Sequence, residues 1–108
     1  MVVSIVIRKT RIADRGEWQR RLEEALPRIR AVLEAEPGFL SLQYLWRVDG
    51  DGGMAQVTTW RGWEDCRRHI REGGAATVAA LEDRALPTAP HPDGTWVRHT
   101  FEVALTVP

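Results

Sequence analysis

The sequence has a single cysteine, Cys66, in 108 residues. One cysteine excludes an intrachain disulfide and any zinc site built from several thiolates, the usual supports of small secreted domains. Long apolar runs are also absent, since none approaches the ~20 residues that a membrane helix needs. The first residues lack the basic leader and small-residue cleavage site of a signal peptide. We therefore expect a protein of the reducing cytoplasm that neither crosses nor binds a membrane.

Net charge is lacking as well, because 15 basic residues balance 15 acidic ones. No overall field attracts nucleic acid or anionic lipid, so we expect neither as a partner. Lys9 is the only lysine, and this preference for arginine is typical of a GC-rich bacterial genome. A chain of this length with 44% hydrophobic residues predicts one folded domain over residues 1–108.

Hydrophobic periodicity divides the chain into alternating strands and helices. They are a strand over Val2–Ile7, a helix from Asp14 to before Pro37, strands over Phe39–Val48 and Met54–Trp60, helices from Gly62 and over Ala75–Arg84, and a strand over Trp96–Val107. The order β-α-β-β-α-α-β predicts a ferredoxin-like α+β domain with a four-stranded antiparallel sheet. The proline-rich stretch over Leu86–Thr95 predicts a surface loop.

Turn and capping residues predict how these elements face each other. Asp14 and Glu17 have the spacing of a capping box, and the glycines of 49–53 predict a hairpin turn. A symmetric hairpin pairs Tyr44 with Thr58, Trp46 with Gln56 and Leu42 with Trp60, all on one sheet face. The second helix is predicted to bury Trp63, Cys66 and Ile70, and the third Val78 and Leu81.

The opposite sheet face is predicted to be apolar too. Ile5, Leu45, Ala55 and Val57 cannot share the face of Trp46 and Trp60 in this pattern. Because helices cover only one face of such a sheet, exposing the other leaves a large apolar patch, and this favours a homodimer.

Three motifs carry a family resemblance: Pro37-Gly38-Phe39, then Trp60-Arg61-Gly62-Trp63-Glu64-Asp65, and then His69. In this order they resemble the antibiotic biosynthesis monooxygenase family over nearly the whole chain. The resemblance implies a dimeric α+β barrel in which each subunit keeps a pocket between its sheet and its helices. It also implies a cofactor-independent monooxygenase that oxidises a phenolic, anthrone-like or quinol aromatic with dioxygen, without a bound cofactor. The alternatives are an isomerase or cyclase with a histidine base, or a non-catalytic dimer that binds a small molecule or haem.

Oxygenation without a cofactor needs a base, donors for an oxyanion, and aromatic walls that exclude water. The candidate bases are His69, beside the inward stripe of the second helix, and His99, on the apolar face of the last strand. Each has a structural alternative: a solvent-facing helix histidine for His69 and a core or dimer-interface histidine for His99.

The predicted substrate-binding residues lie on one sheet face and at the adjoining helix start: Tyr44, Trp46, Gln56, Thr58, Trp60 and Trp63. The alternative role for Trp60 is core packing. The alternative for Tyr44 is a strand aromatic whose hydroxyl contacts water. Arg8, Arg47 and Arg98 lie on strands and are candidates to hold an oxyanion, with solvated or interface arginines as the alternative.

The sequence departs from the family in two respects. It contains no asparagine, whereas the family's phenol oxidisers and haem degraders position substrate or oxygen with one. Gln43, Gln56 or Thr58 would have to take that role. The haem-degrading branch also needs a histidine one helix beyond His69, and that region reads Thr77-Val78-Ala79-Ala80, so the resemblance disfavours haem turnover.

Other motifs give no site. Asp49-Gly50-Asp51-Gly52 resembles the start of a calcium loop, but position 12 counted from Asp49 is Trp60 rather than a bidentate glutamate. No glycine-rich fingerprint for a dinucleotide is present, and His91 with Asp93 lacks a third ligand. Cys66 fits a small buried hydrophobe better than a nucleophile. We therefore predict no metal and no resident cofactor.

Overall fold

The computed structural model describes residues 1–87, 89 and 96–108, so the predicted loop over Leu86–Thr95 falls largely outside the described residues. The elements are β1 (Val2–Lys9), α1 (Arg15–Glu34), β2 (Phe39–Trp46), β3 (Gly53–Trp60), α2 (Trp63–Arg71), α3 (Gly74–Ala85) and β4 (Val97–Glu102). The strands form one antiparallel four-stranded sheet in the order β2-β3-β1-β4. This topology confirms the ferredoxin-like α+β fold.

Helix α1 begins at the predicted cap. The Asp14 carboxylate accepts a hydrogen bond of 2.8 Å from the backbone N–H of Glu17, which satisfies one of the free donors at a helix start. The helix ends at Glu34, before Pro37 as predicted, and continues through Pro27. Its buried residues are Trp18, Leu22, Ile29 and Leu33. No helix in the described part of the chain is long and apolar enough to cross a membrane.

The β2-β3 hairpin has a different register from the predicted one. Tyr44 lies opposite Gln56 rather than Thr58. The reason is the turn, which the Arg47 N–H closes by donating to the Gly53 carbonyl at 2.9 Å, so that its centre lies one residue earlier than expected. A shift of this kind moves each partner by two residues and leaves every side chain on its predicted face.

The start of β2 also differs from the alternating pattern. An irregularity between Phe39 and Ser41 inserts an extra residue, which turns neighbouring side chains to opposite faces. Phe39 packs edge-on against Trp60, with ring centroids 5.6 Å apart, while Leu40 is 54% exposed. Alternation along Phe39–Val48 predicts Leu40 on the same face as Tyr44 and Trp46, and this prediction is wrong.

Gly38 precedes this irregularity and has a positive φ of 80°, a backbone conformation that glycine adopts without strain. Its carbonyl accepts a hydrogen bond of 2.8 Å from the Arg61 N–H. A Cβ at this position would lie 2.6 Å from the Cβ of Asp65. Both the backbone angle and the close approach of α2 thus require a glycine in the Pro37-Gly38-Phe39 motif.

Helix α2 buries a different stripe from the predicted one. Cys66 and His69 are buried, Ile70 is half-buried, and Trp63 is 46% exposed. At 3.6 residues per turn, a stripe centred between Cys66 and His69 places Trp63 roughly 90° away from it. The predicted inward position of Trp63 is wrong for this reason, whereas Cys66 lies in the core as expected, where burial raises the pKa of its thiol.

The two faces of the sheet differ in polarity. The face under the helices carries buried polar side chains on its central strands: Ser4, Arg8, Gln56 and Thr58. The opposite face, here called the outer face, carries mainly apolar side chains, together with polar residues that include Ser41, Gln43, Thr59 and His99. Its apolar residues are Val3, Ile5, Ile7, Leu45, Ala55, Val57, Val97 and Phe101. Ile7 remains 47% exposed and Phe101 55% exposed.

His69 is buried where α2, α3 and the sheet meet. Its ring lies 4.7 Å from the ring of Trp60, centroid to centroid, and its Nδ1 contacts the Glu36 carboxylate. A Cβ on Gly74 would lie 2.6 Å from this Nδ1, so a glycine is needed there. Burial, and secondly the positive charge of Arg98, lower the pKa of His69 to about 4, which keeps the imidazole neutral near pH 7.

Replacing Gly38 with alanine is expected to destabilise the fold by about 2–4 kcal/mol, because it adds both a left-handed strain and an overlap with Asp65. The measurement is urea unfolding of Gly38→Ala beside Gly62→Ala. Gly62 has an extended φ of −154° and no atom within 4 Å of an added Cβ, so its variant should lose less than about 1 kcal/mol. Equal losses in the two variants would contradict the assignment.

His69 should make stability depend on pH in a defined window. The unfolded chain takes up the proton near pH 6.5 and the folded chain only near 4, so the unfolded state binds more protons between these values. The contribution of neutral His69 is therefore complete above pH 6.5 and lost as the pH falls towards 4. Unfolding free energies of the wild type and of His69→Gln, measured from pH 7 to 4, should converge by about 3 kcal/mol. Parallel pH curves would refute this role.

Candidate active site

A cavity of about 210 Å³ lies between the sheet and α3. On the helix side the cavity is lined by the small side chains of Ala75, Ala76 and Ala79 of α3. Its lining residues are Val6, Gln56, Ala75, Ala76, Ala79, Glu82, Trp96 and Arg98. We call this space the inner cavity.

Glu82 is the acidic residue of the inner cavity and is fully buried. Its Oε2 accepts a hydrogen bond from the Tyr44 hydroxyl at 2.5 Å and one from the Gln56 Nε2 at 2.9 Å. Its Oε1 has no hydrogen-bond partner among the described residues. Tyr44 and Gln56 of the sheet thus satisfy one carboxylate oxygen of this cavity-lining residue, and the other has no partner in the described part of the chain.

Burial raises the pKa of Glu82, although the hydrogen bonds from Tyr44 and Gln56 and the charge of Arg8 act in the opposite direction. Burial, together with the neighbouring carboxylate, also raises the pKa of Tyr44. Tyr44 therefore stays protonated and remains a donor to Glu82. A carboxylate with a raised pKa and one unoccupied oxygen is suited to accept a proton.

Two arginines of the strands place positive charge beside this carboxylate. Arg98 lines the inner cavity, and its NH1 donates to the Ser4 Oγ at 2.6 Å. Burial lowers the pKa of Arg98, but a guanidinium keeps its charge at physiological pH. Arg8 contacts Asp83 and has its Cζ 3.8 Å from the centre of the Trp96 ring. A base and a cation that line the same cavity can remove a proton and hold the resulting oxyanion.

The predicted substrate-binding residues separate into three groups. Tyr44 and Gln56 meet at Glu82, as described above. Thr58 and Trp60 are core residues, since the Trp60 Nε1 donates to the Thr58 Oγ1 at 2.9 Å and both side chains are fully buried. Trp46 packs on Trp18 with ring centroids 5.0 Å apart. It lines, with Tyr44, a separate groove of about 330 Å³ between α1 and β2.

The remaining predicted site residues lie away from the inner cavity. Trp63 is on the exposed side of α2. His69 is buried beneath Trp60 and Gly74, and His99 is exposed on the outer face, opposite Ile5. The structure does not bring the two histidines together. In the described part of the chain, no cluster of histidine, cysteine, aspartate or glutamate side chains could hold a metal ion.

Sequence reasoning missed Glu82 and Trp96 as cavity residues, and it treated Arg98 only as one of several strand arginines. A signal for Glu82 is present in the sequence. Val78 and Glu82 are four residues apart on an alanine-rich helix, so an acidic residue falls on the apolar stripe. Arg47, the third strand arginine, is exposed and pairs with Asp49 in the hairpin turn, at 2.8 Å.

No protein-family model matches this sequence, and no curated protein matches it. Solved structures do. MhuD, a haem degrader from Mycobacterium tuberculosis solved with two haems in its active site, is 28% identical with a TM-score of 0.64, over 100% of both chains. SnoaB, a cofactor-independent oxygenase from Streptomyces nogalater, is 24% identical with a TM-score of 0.63, over 99% of this chain and 97% of that one.

Proteins named antibiotic biosynthesis monooxygenases share the fold at lower identity. One from Bordetella bronchiseptica has a TM-score of 0.67 at 10% identity, over 96% of this chain and 97% of that one. Another, from Deinococcus radiodurans, has a TM-score of 0.62 at 16% identity. The chain thus has the fold of the proteins named antibiotic biosynthesis monooxygenases, in agreement with the resemblance that the sequence motifs carry.

Proposed function

We propose that this protein is a cofactor-independent monooxygenase for a small hydroxylated aromatic, a phenolic, anthrone-like or quinol compound. The observation that carries the proposal is the buried Glu82 carboxylate, which lines the inner cavity with Oε1 unpartnered among the described residues. SnoaB, a relative by structure, is a cofactor-independent oxygenase. The chemistry then needs only a base, an oxyanion partner and a dry cavity.

In this proposal Glu82 removes the proton from a substrate hydroxyl through Oε1. Arg98 stabilises the phenolate oxygen, and the electron-rich anion passes an electron to dioxygen. The resulting superoxide and substrate radical combine to a peroxide at a ring carbon. Glu82 returns its proton to the peroxide, and the hydroperoxide then loses water together with the hydrogen of that ring carbon, which leaves a carbonyl. One oxygen atom thus stays in the product and the other leaves as water. The substrate supplies all the electrons.

The size of the inner cavity limits the substrate. Its volume of about 210 Å³ is below the ~300–1,000 Å³ of pockets for drug-sized ligands. The alanines of α3 and the flat Trp96 ring favour a thin, planar ligand. We therefore infer a substrate with a small fused or single ring system.

Haem does not fit the inner cavity. MhuD binds two haems in its active site, but a porphyrin is much larger than the inner cavity. Iron in haem proteins is held by histidine, cysteine, methionine or tyrosine, and none of the residues lining the inner cavity in the described part of the chain is of these types.

A proton-transfer enzyme, an isomerase or cyclase, is the second candidate, because the same Glu82 could move a proton without dioxygen. His69 is a weaker candidate than Glu82 for the base of such an enzyme. Its pKa of about 4 makes the neutral imidazole a weak proton acceptor. The oxygen requirement of turnover distinguishes the two functions.

We further propose that two copies pair through their outer faces. The face carries a contiguous set of apolar side chains, and β1, β3 and β4 all contribute to it. Covering it removes apolar surface from water. The unpaired, buried Cys66 is in keeping with a reducing cytoplasm, which we propose as the location.

Replacing Glu82 with glutamine should reduce oxygen consumption by about 100-fold or more, because the amide keeps the shape but cannot accept the proton. Oxygen uptake is measured with anthrones, naphthalenediols and hydroquinones, after subtracting autoxidation without protein. Glu24→Gln, at an exposed position of α1, is the matched control and should retain full activity. Substrate conversion that continues without oxygen would favour the isomerase instead.

The pH profile gives a second readout for Glu82. Since burial raises its pKa above 4.5, the carboxylate base is lost as the pH falls through this raised value. We expect kcat/KM of the wild type to decrease on acidification with an inflection above pH 4.5, and the residual activity of Glu82→Gln to lack that inflection. A profile shared by both proteins would assign the inflection to the substrate.

The outer face should set the oligomeric state. Sedimentation of the wild type should give twice the 12.2 kDa chain mass, and a charge at Ile7 (Ile7→Asp) should shift it to the monomer. Ala31→Asp, at an exposed position of α1 on the other side of the sheet, is the control and should remain dimeric. A monomeric wild type would refute the pairing.

A further inference from the structure

Two buried oxygens on side chains that line the inner cavity lack a hydrogen-bond donor in the described part of the chain. They are Oε1 of Glu82 and Oε1 of Gln56, which have no hydrogen-bond partner among the described residues. Their side chains are at most 3% exposed. An acceptor buried without a donor costs free energy, so this pair indicates a ligand with matching donors.

The orientation of both groups follows from their shared hydrogen bond. The Gln56 amide and the Glu82 Oε2 are 2.9 Å apart, and an ionised carboxylate only accepts. The nitrogen of the amide must therefore face Glu82, which leaves the amide oxygen free. The two unpartnered oxygens therefore belong to side chains that share one hydrogen bond and both line the inner cavity.

We propose that the inner cavity selects a ring carrying two hydrogen-bond donors on one edge, two hydroxyls or a hydroxyl and an amine. One donor faces the Glu82 Oε1 and the other the Gln56 Oε1. In terms of the proposed function, which this inference deepens, the first is the proton that Glu82 removes. Gln56 is then a specificity residue that reads the second.

The same geometry discriminates the reduced ring from its oxidised form. When both hydroxyls become carbonyls, the ring presents acceptors to two acceptor oxygens, and no proton is left to bridge them. A site built to accept hydrogen bonds from a ligand binds an analogue without those donors much more weakly. The inner cavity should therefore bind a diol and release the corresponding quinone.

The test is equilibrium binding by titration calorimetry under nitrogen, with naphthalene-2,3-diol, naphthalene-1,3-diol, 2-naphthol and 2,3-dimethoxynaphthalene as probes. We expect the better diol to bind the wild type at least tenfold tighter than 2-naphthol, and the dimethoxy compound to bind weakest. Gln56→Met keeps the length of the side chain without the acceptor and should abolish the preference. Gln19→Met, at an exposed glutamine of α1, should leave it unchanged.

Equal affinity of the wild type for both diols and 2-naphthol, or no binding of any diol, would overturn the inference even if Gln56→Met does not fold. A preference that survives in folded Gln56→Met would also overturn it. Because oxygen is excluded, the result is independent of turnover. A diol preference without oxygen uptake in the earlier assay would keep this inference and reject the monooxygenase, and uptake without the preference would do the reverse.

Discussion

The hydrogen bonds that hold the Glu82 carboxylate fix α3 on the sheet. A carboxylate removed from water is costly unless donors satisfy it, and here both donors to Oε2 come from the sheet. Tyr44 and Gln56 lie directly opposite each other on β2 and β3, so the carboxylate fits only where this pair meets. One turn earlier, Val78 packs into the main core. An apolar and a polar contact together set the height and rotation of the helix.

The inner cavity follows from this constraint. With α3 anchored at Glu82, its first turns cross the sheet with alanines rather than large side chains at the contact. Trp96 and Arg98 close the space from the β4 side, and Arg98 is tied to Ser4 of β1. The helix cannot settle further onto the sheet without breaking its polar anchor, so a space remains. A polar contact that creates a cavity in a small core is more easily explained by ligand binding than by stability.

The sequence predicted the elements well because each has a local physical signal. Asp14 caps α1 as expected, and alternation assigned Val97, His99 and Phe101 to one face of β4. The predictions that failed concern strand register and side-chain direction, which depend on local backbone geometry. The pairing of Tyr44 depended on where the hairpin turn centres, and Leu40 on an irregularity that no pattern in β2 reveals. A short helix such as α2 has too few residues to fix its rotation, and so Trp63 was placed inward.

The site was harder to predict than the fold, for a related reason. Tyr44 and Gln56 were identified because they share a sheet face, but their partner Glu82 is on a helix far along the chain, and only packing joins them. Histidine is the usual candidate for a base, because its ordinary pKa is close to neutral pH. Burial beneath Trp60, however, lowers the pKa of His69 to about 4. Burial between α3 and the sheet has the opposite effect on Glu82 and raises the pKa of its carboxyl group. Environment, not residue type, decides which group is the base.

The distribution of polarity over the sheet connects the proposed dimer with the proposed chemistry. In an isolated two-layer domain, the apolar face of the sheet belongs under the helices. Here the covered face carries Arg8, Gln56 and Thr58, while the outer face carries Ile5, Val57 and Phe101. If the outer face is buried against a second copy, that contact buries apolar surface. This compensates for the apolar surface that the helix-covered face lacks where it carries polar side chains. The inner face is then free to hold charged and amide groups around a cavity, which no single-copy core of this size could easily support.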